Sequence, residues 1–348
     1  MIDLQLPLRL RLDGDALVHN WRWLDARSGV AACGAAVKAD GYGLGAGGVV
    51  QRLAGAGCRD FFVASWAEAQ ALMPRAQGLS LSVLHGVRIE DMAVALAGPA
   101  RPVLNSHAQI ARWRDAGGGP CDVMVDSGIN RLGISITEVG EGLLDGLDIE
   151  TLMSHLACAD EDVPLNARQR DRFSGLARRS GARRMSLANS AGICLGTDYA
   201  FDLTRPGLAL YGGVPRGEAA GHIRQVVRPQ AQILQRRTVA AGESVGYNAL
   251  FTAAAPIELA TLNLGYADGY WRGFSATGHA IAASGARLPV IGRVSMDLTA
   301  IDVDAAPELA EGDWVEVAYD LPAAAAASGM SQYELLTGLG QRFARDWE

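Results

Sequence analysis

The side chains able to do chemistry in this 348-residue chain gather at the ends of short apolar runs. Lys38 closes the run Gly-Ala-Ala-Val-Lys (34–38) and enters a loop rich in glycine that carries Tyr42. Arg131 sits in a glycine-flanked turn, and His155 ends a further apolar run. The stretches Asn189-Ser190-Ala191-Gly192 and Arg205-Pro206-Gly207-Leu208 follow two more. Taken singly, each has a bland explanation. A lysine at a strand end ordinarily reaches into solvent, and a histidine on an apolar strand is ordinarily a satisfied core residue. Taken together they describe a reactive site. An amine beside a tyrosine-bearing glycine turn suits imine formation with a carbonyl cofactor. The two later glycine stretches offer hydroxyl and backbone N–H donors, with room for a phosphate to approach the backbone.

These residues need a frame that brings strand ends to one face. From about residue 30 the chain alternates short β-like runs with longer helical stretches. Runs at 34–38, 61–65, 79–85, 102–106, 122–126, 149–156, 185–189 and 207–211 make eight such units, with helical stretches including 45–56 and 165–180 between them. Eight units predict an α/β fold with an N-terminal (β/α)8 TIM-like barrel, although a doubly wound sheet produces a similar rhythm. In a parallel barrel the reacting groups lie at the C-terminal ends of the strands, where Lys38, Arg131, His155, Ser190 and Arg205 fall. After about residue 225 the texture changes to strand-like segments punctuated by glycine and proline, with one clear helical signal at SQYELLTGLGQRF. The expected division is a barrel over 1–225 and a mostly-β domain over 226–348.

Composition narrows the class. A formal net charge of −7 argues against a nucleic-acid partner, which calls for a basic face. The five cysteines are scattered and form no C-x-x-C pair, so neither a metal site nor a disulfide framework is expected. No basic-then-apolar leader and no uninterrupted apolar stretch long enough for a membrane are visible, which points to a cytoplasmic protein without a membrane partner.

The chain also resembles a known family. VKADGYG (37–43), VDSGINRLG (125–133), SHLACAD (154–160), LANSAG (187–192), RPGLALYG (205–212), VGYNALFT (245–252), GYADGY (265–270) and GRVSMD (292–297) are similar to the successive signature blocks of alanine racemases, in the family's order. The resemblance implies pyridoxal 5'-phosphate as cofactor, interconversion of L- and D-alanine, and a head-to-tail homodimer with shared active sites. It implies Lys38 as the Schiff-base lysine and one catalytic base, and Tyr247, from the partner's β domain, as the other. It places Tyr42, Ser190, Gly207, Leu208 and Tyr333 at the phosphate, Arg205 at the pyridine nitrogen, and His155 between Arg205 and Tyr247. Arg131, Tyr266, Met296 and Asp297 match the substrate-side positions. Two bases on opposite faces are what racemisation needs, and an arginine at the ring nitrogen keeps its own proton.

Three positions depart from the family pattern. Met124 stands where many relatives carry a carbamylated lysine that orients the arginine, so Arg131 needs another orienting group, with a small anion the favoured substitute. Ser186 and Leu44 stand where histidines are common. These departures leave serine, or a broader set of small amino acids, as alternative substrates to alanine. They also leave open a biosynthetic or a catabolic role in D-alanine metabolism. Two other classes fit less well. A barrel decarboxylase for basic amino acids would present an acidic residue to the ring nitrogen and a C-terminal cysteine, whereas the last cysteine here is Cys194. A non-catalytic cofactor carrier would have no use for Tyr247.

Overall fold

Glycine and alanine at the first barrel strand reflect crowding. The computed structural model describes residues 5–176 and 179–348, and that strand comes in two pieces, Ala32–Cys33 and Ala35–Ala36. At Gly34 between them, a Cβ would stand 2.8 Å from the Asp60 carbonyl oxygen and from the Phe62 ring. Six strands follow in a spatial order equal to their chain order: Asp60–Val63, Ser80–Val83, Arg101–Leu104, Cys121–Asp126, Ile149–Met153 and Arg184–Ser186. Every ladder among them is parallel. Their residues are buried almost without interruption, the pattern of strands covered on both faces.

The eighth strand, Leu203–Thr204, pairs in parallel with Ala32–Cys33. It meets the seventh through the Asp202 N–H, which donates to the Met185 carbonyl at 3.0 Å. The ring thus closes as a (β/α)8 barrel. One boundary differs from the sequence expectation. Residues 207–211 are not the eighth strand; Leu208–Tyr211 is a short 3-10 turn just beyond it. The reason is local, because the Gly207 and Ala209 N–H groups donate to the Ser190 hydroxyl rather than to a neighbouring strand. The helix expected over 165–180 runs Pro164–Ser174, and positions 177 and 178 of that span lie outside the described residues.

Ionic pairs occupy the N-terminal ends of the barrel strands. Arg184 grips Asp60 with two nitrogens, at 2.8 and 3.1 Å, and Asp122, fully buried, accepts from the Ser82 hydroxyl at 2.6 Å with the Arg101 guanidinium 3.5 Å away. This end carries stability, and the opposite end is left for chemistry.

The second unit is built from antiparallel strands. Val227–Val239 is 13 residues long and bends at a bulge between Ile233 and Gln235. Its first part pairs with Trp314–Val317 and its second with Ile257–Leu262. Thr299–Asp302, Arg287–Ile291 and His279–Ile281 complete a closed circuit of ladders. The strand Leu8–Leu12, which lies within the 1–225 span, belongs to this unit: it pairs antiparallel with Val227–Ala231 and parallel with Ala344–Trp347. Its alternating leucines, buried while the arginines between them are half-buried, give it one face for the β-unit core.

Candidate active site

Lys38 leaves the first barrel strand into an unusual backbone. Ala39, Asp40, Gly41 and Tyr42 have φ of 53°, 53°, 65° and 55°, a full turn in the left-handed region. Left-handed helix costs roughly 1–2 kcal/mol for each residue bearing a Cβ. The turn survives because its own i to i+4 bonds close, Gly41 N–H to Val37 O at 2.9 Å and Gly43 N–H to Ala39 O at 2.8 Å. Carboxylates hold its outside: Asp40 accepts from the Ala46 N–H at 2.9 Å and Glu68 from the Ala39 N–H at 2.8 Å. The turn fixes Lys38 at one end and the buried Tyr42 ring at the other.

Cations surround the lysine. Partial burial, followed by the Arg131 and Arg205 charges, pushes the Lys38 amine below its ordinary range, with Glu68 opposing. Burial above all, then Arg205, Arg131 and Lys38, pushes His155 down to about 3, so its imidazole is neutral at ordinary pH. Arg205 is buried, donating to the Ser186 hydroxyl and, at 2.5 Å, to the Ser154 carbonyl. Burial brings it down to about 10, which still leaves it protonated at neutral pH. Both of these acceptors are neutral, and among the described residues the Asp122 carboxylate acts on this guanidinium through its charge. The backbone of Arg131 is fixed by Asp126, whose carboxylate accepts from the N–H groups of Gly128, Ile129 and Arg131 at 2.8–3.1 Å. Its side chain is exposed.

A small cradle lies at the eighth strand's end. Ser190 is buried at the start of the helix Ser190–Cys194, and its oxygen accepts from Gly207 N–H at 2.9 Å and Ala209 N–H at 3.2 Å. The Tyr42 hydroxyl lies so close to Gly207 that a Cβ there would stand 2.1 Å from it. Two hydroxyls and a glycine backbone therefore converge beside Leu208, a donor set that suits phosphate. A buried guanidinium that donates to neutral oxygens likewise suits a neutral heteroaromatic nitrogen. The residues fit a phosphorylated pyridine aldehyde.

In the β unit, Tyr247 projects from a turn with Gly246 at φ 75° and Asn248 at φ 61°, and is 68% exposed. It stands on a groove of about 1050 Å³ that also involves Gly246, Arg293, Ser295 and Leu298. Met296, 54% exposed, precedes Asp297, whose carboxylate is held by Arg342 at 2.8 Å. Arg342 also grips the buried Asp268 at 2.6 Å, and Asp268 caps the Tyr266 turn through Gly265 N–H at 2.9 Å. Gly265 is required there, since a Cβ would stand 2.2 Å from the Met296 carbonyl oxygen. The Tyr266 ring is covered by the Arg272 guanidinium at 5.0 Å, and Tyr333 is 45% exposed on the helix Gln332–Thr337.

Comparison with known proteins decides the family. The alanine racemase N-terminal domain model matches residues 12–215, and the alanine racemase C-terminal domain model matches residues 226–347. The chain belongs to the alanine racemase family. The alanine racemase of Acidiphilium cryptum is 43% identical over 351 residues, covering 97% of either chain. Alanine racemase from Bartonella henselae, solved with covalently bound pyridoxal phosphate, superposes with a TM-score of 0.90 at 33% identity, covering 99% of this chain and 100% of that one. The biosynthetic alanine racemase of Pseudomonas aeruginosa gives 0.87 at 32% identity, again over 99% and 100%. The chain is accordingly an isomerase, an amino-acid racemase with the family's barrel and antiparallel β domain.

Within this family member, two site features escape a reading of motifs. The first is numerical: of 31 basic lysine and arginine residues, Lys38 alone is a lysine. A count of residue types finds it at once. It also means that no second lysine exists to carry a carbamate beside Arg131. The second is Ser186, visible from sequence only as a missing histidine. In the fold its hydroxyl donates to the Leu203 carbonyl, which turns its lone pairs toward Arg205. Among the described residues no helix is long and apolar enough to cross a membrane.

Proposed function

We propose that this chain interconverts L- and D-alanine with pyridoxal 5'-phosphate attached to Lys38. The observation that carries the reading is the placement of the chain's sole lysine at a barrel strand end, lowered in basicity and flanked by the hydroxyl-glycine cradle. Tyr42, Ser190, Gly207, Leu208 and Tyr333 would hold the phosphate, and Arg205 the ring nitrogen. Bound there, the cofactor would acidify the substrate's α-proton by delocalising the charge left behind. Lys38 would take or return that proton on one face. Its lowered basicity suits the task, because an amine poised nearer neutrality both accepts and gives up a proton readily. Tyr247 of a second copy serves the opposite face. Arg131, Tyr266, Met296 and Asp297 grip the amino acid. Arg205 keeps its proton, and neutral His155 can accept a hydrogen bond from it.

The two-copy arrangement is supported by the β unit's surface. Tyr247, Leu250, Met296 and Leu298 are 68, 58, 54 and 41% exposed, an apolar set that a head-to-tail homodimer would cover. The test combines chemistry and mapping. Purified protein with added pyridoxal phosphate should erode the optical purity of either alanine enantiomer, with serine and other small amino acids run in parallel. Borohydride reduction should then leave the pyridoxyl group on the peptide containing Lys38. Stable optical purity for every amino acid in the panel, or an unmodified Lys38 peptide, would refute the reading.

A further inference from the structure

Among the described residues three helices open on Ser-x-x-Glu, the pattern of a reciprocal cap in which serine and glutamate each take the other's backbone N–H. Two behave so. Ser135 N–H donates to Glu138 at 2.7 Å and Ser331 N–H to Glu334 at 2.9 Å, while each serine oxygen accepts the glutamate's N–H. The third, at the helix Trp66–Leu72, keeps only the serine half, with Ser65 accepting from Glu68 N–H at 3.4 Å. The Glu68 carboxylate goes elsewhere. One oxygen accepts from Ala39 N–H at 2.8 Å and the other from Ala64 N–H at 2.7 Å. Ala39 is the residue after Lys38, and Ala64 follows the second barrel strand. The carboxylate therefore straps the exits of the first two strands together at the start of the left-handed turn.

We propose that Glu68 is a positioning residue for the reactive lysine, its carboxylate fixing the turn that carries Lys38 and adding a negative charge to the groups that act on the amine. Those groups are Arg131 and Arg205, both cationic, and Glu68, with neutral His155 alongside. The proposal rests on the reading of Lys38 as the reactive amine. Its geometry goes further: a carboxylate with both oxygens taken by N–H donors has no neutral isostere able to accept both bonds. A glutamine would offer one acceptor and turn its NH2 toward the other N–H.

The sole lysine makes the test clean. The full-length chain, stripped of cofactor by dialysis, is treated with a small acylating reagent at a series of pH values. Mass spectrometry then follows acylation of the Lys38 peptide. Glu68→Gln should shift this labelling curve to lower pH, because an opposing charge is gone. It should also reduce kcat of the reconstituted enzyme by about tenfold or more, with KM little changed, as a misplaced reacting group does. Glu138→Gln breaks a comparable cap elsewhere and should lower Tm without moving the Lys38 curve. Should Glu68→Gln fail to fold, Glu68→Asp keeps the charge on a shorter arm. Its labelling curve should stay close to wild type while kcat falls. A Glu68→Gln curve superimposable on wild type, or a Glu68→Asp curve displaced to lower pH, would overturn the proposal. Labelling of the stripped chain does not depend on where the cofactor attaches, so an unmodified Lys38 peptide after borohydride would sink the cofactor assignment alone.

Discussion

At the scale of single residues, the site is organised by what has been left out. Gly207 lacks a side chain because the Tyr42 hydroxyl occupies the space where a Cβ would be, at 2.1 Å. Gly207→Ala must push the tyrosine away or shift the eighth strand's exit. Overpacking of this kind typically costs about 1–3 kcal/mol. The same variant should weaken pyridoxal phosphate binding by about tenfold, measured by titrating the stripped protein with cofactor and following fluorescence. An unchanged affinity would place the phosphate elsewhere. His155 supplies a pH test. Its folded value of about 3 lies below the ordinary 6.5, so between these the unfolded chain binds a proton that the folded chain refuses. Stability contributed by this position is therefore full above about pH 6.5 and lost as pH falls toward 3, with a slope of at most about 1.4 kcal/mol per pH unit. His155→Gln should flatten the decline seen by urea unfolding of the stripped chain between pH 6 and pH 4. Parallel declines would mean the imidazole is protonated in place. The proposed site residues Lys38, His155, Ser190 and Arg205 stand out in sequence because they sit in the ordered blocks that mark the family. Ser186 and Glu68 do not, because each looks ordinary in sequence and gains its role only from a partner 19 or 29 positions away.

At the scale of elements, the left-handed turn from Ala39 to Tyr42 is the part that sequence reading describes least well. Alanine gives no signal for positive φ and a single aspartate only a weak one, so the surrounding glycines carry most of the hint. The conformation is held by its own backbone bonds and by two carboxylates, Glu68 on Ala39 from outside the turn and Asp40 of the turn on Ala46. Ala39→Gly tests this without touching either hydrogen bond. Removing the Cβ relieves roughly 1–2 kcal/mol, and the greater freedom of glycine in the unfolded chain takes back about 0.5–1. A rise in Tm of about 1–3 °C is expected, read by calorimetry. Ala39→Val, β-branched in the same conformation, should lower it. A lower Tm for the glycine variant would mean the turn is not held in the left-handed region. The eighth strand is the other element that pattern misplaced. Two residues are too few to show any period, and the longer apolar run 207–211 beyond it caught the reading instead.

At the scale of the whole molecule, the sequence shows an eight-unit rhythm and a change of texture near residue 225, but the first strand gives no sign of where it pairs. Leu8–Leu12 finds its partners more than 200 residues away, in Val227–Ala231 and Ala344–Trp347. If Lys38 and Tyr247 of one site come from two copies, inactive Lys38→Ala and inactive Tyr247→Phe proteins should restore activity when mixed. Random exchange leaves half of the molecules as heterodimers with one native site, so about a quarter of wild-type activity is expected from an equal mixture. Continued inactivity after subunit exchange has been demonstrated by tagged co-purification would contradict a shared site.

The pairing of Leu8–Leu12 with the final strand also bears on how the protein is made. On a ribosome the first strand emerges well ahead of both partners: the antiparallel one appears only once residue 227 has been translated and the parallel one only after residue 344. The barrel residues, 17–210, are all translated before either partner. At about 5–20 residues per second, the leading strand waits upwards of ten seconds without an edge to join. Its alternation of leucine with arginine is well suited to that interval, since Arg9 and Arg11 keep a lone apolar strand from pairing with its own kind. Nascent chains stalled near residue 240, with the Val227–Ala231 partner translated but still inside the exit tunnel, should therefore protect the barrel from protease while Leu8–Leu12 stays cleavable, and replacing both arginines with threonine should raise aggregation during synthesis more than it lowers the stability of the finished fold.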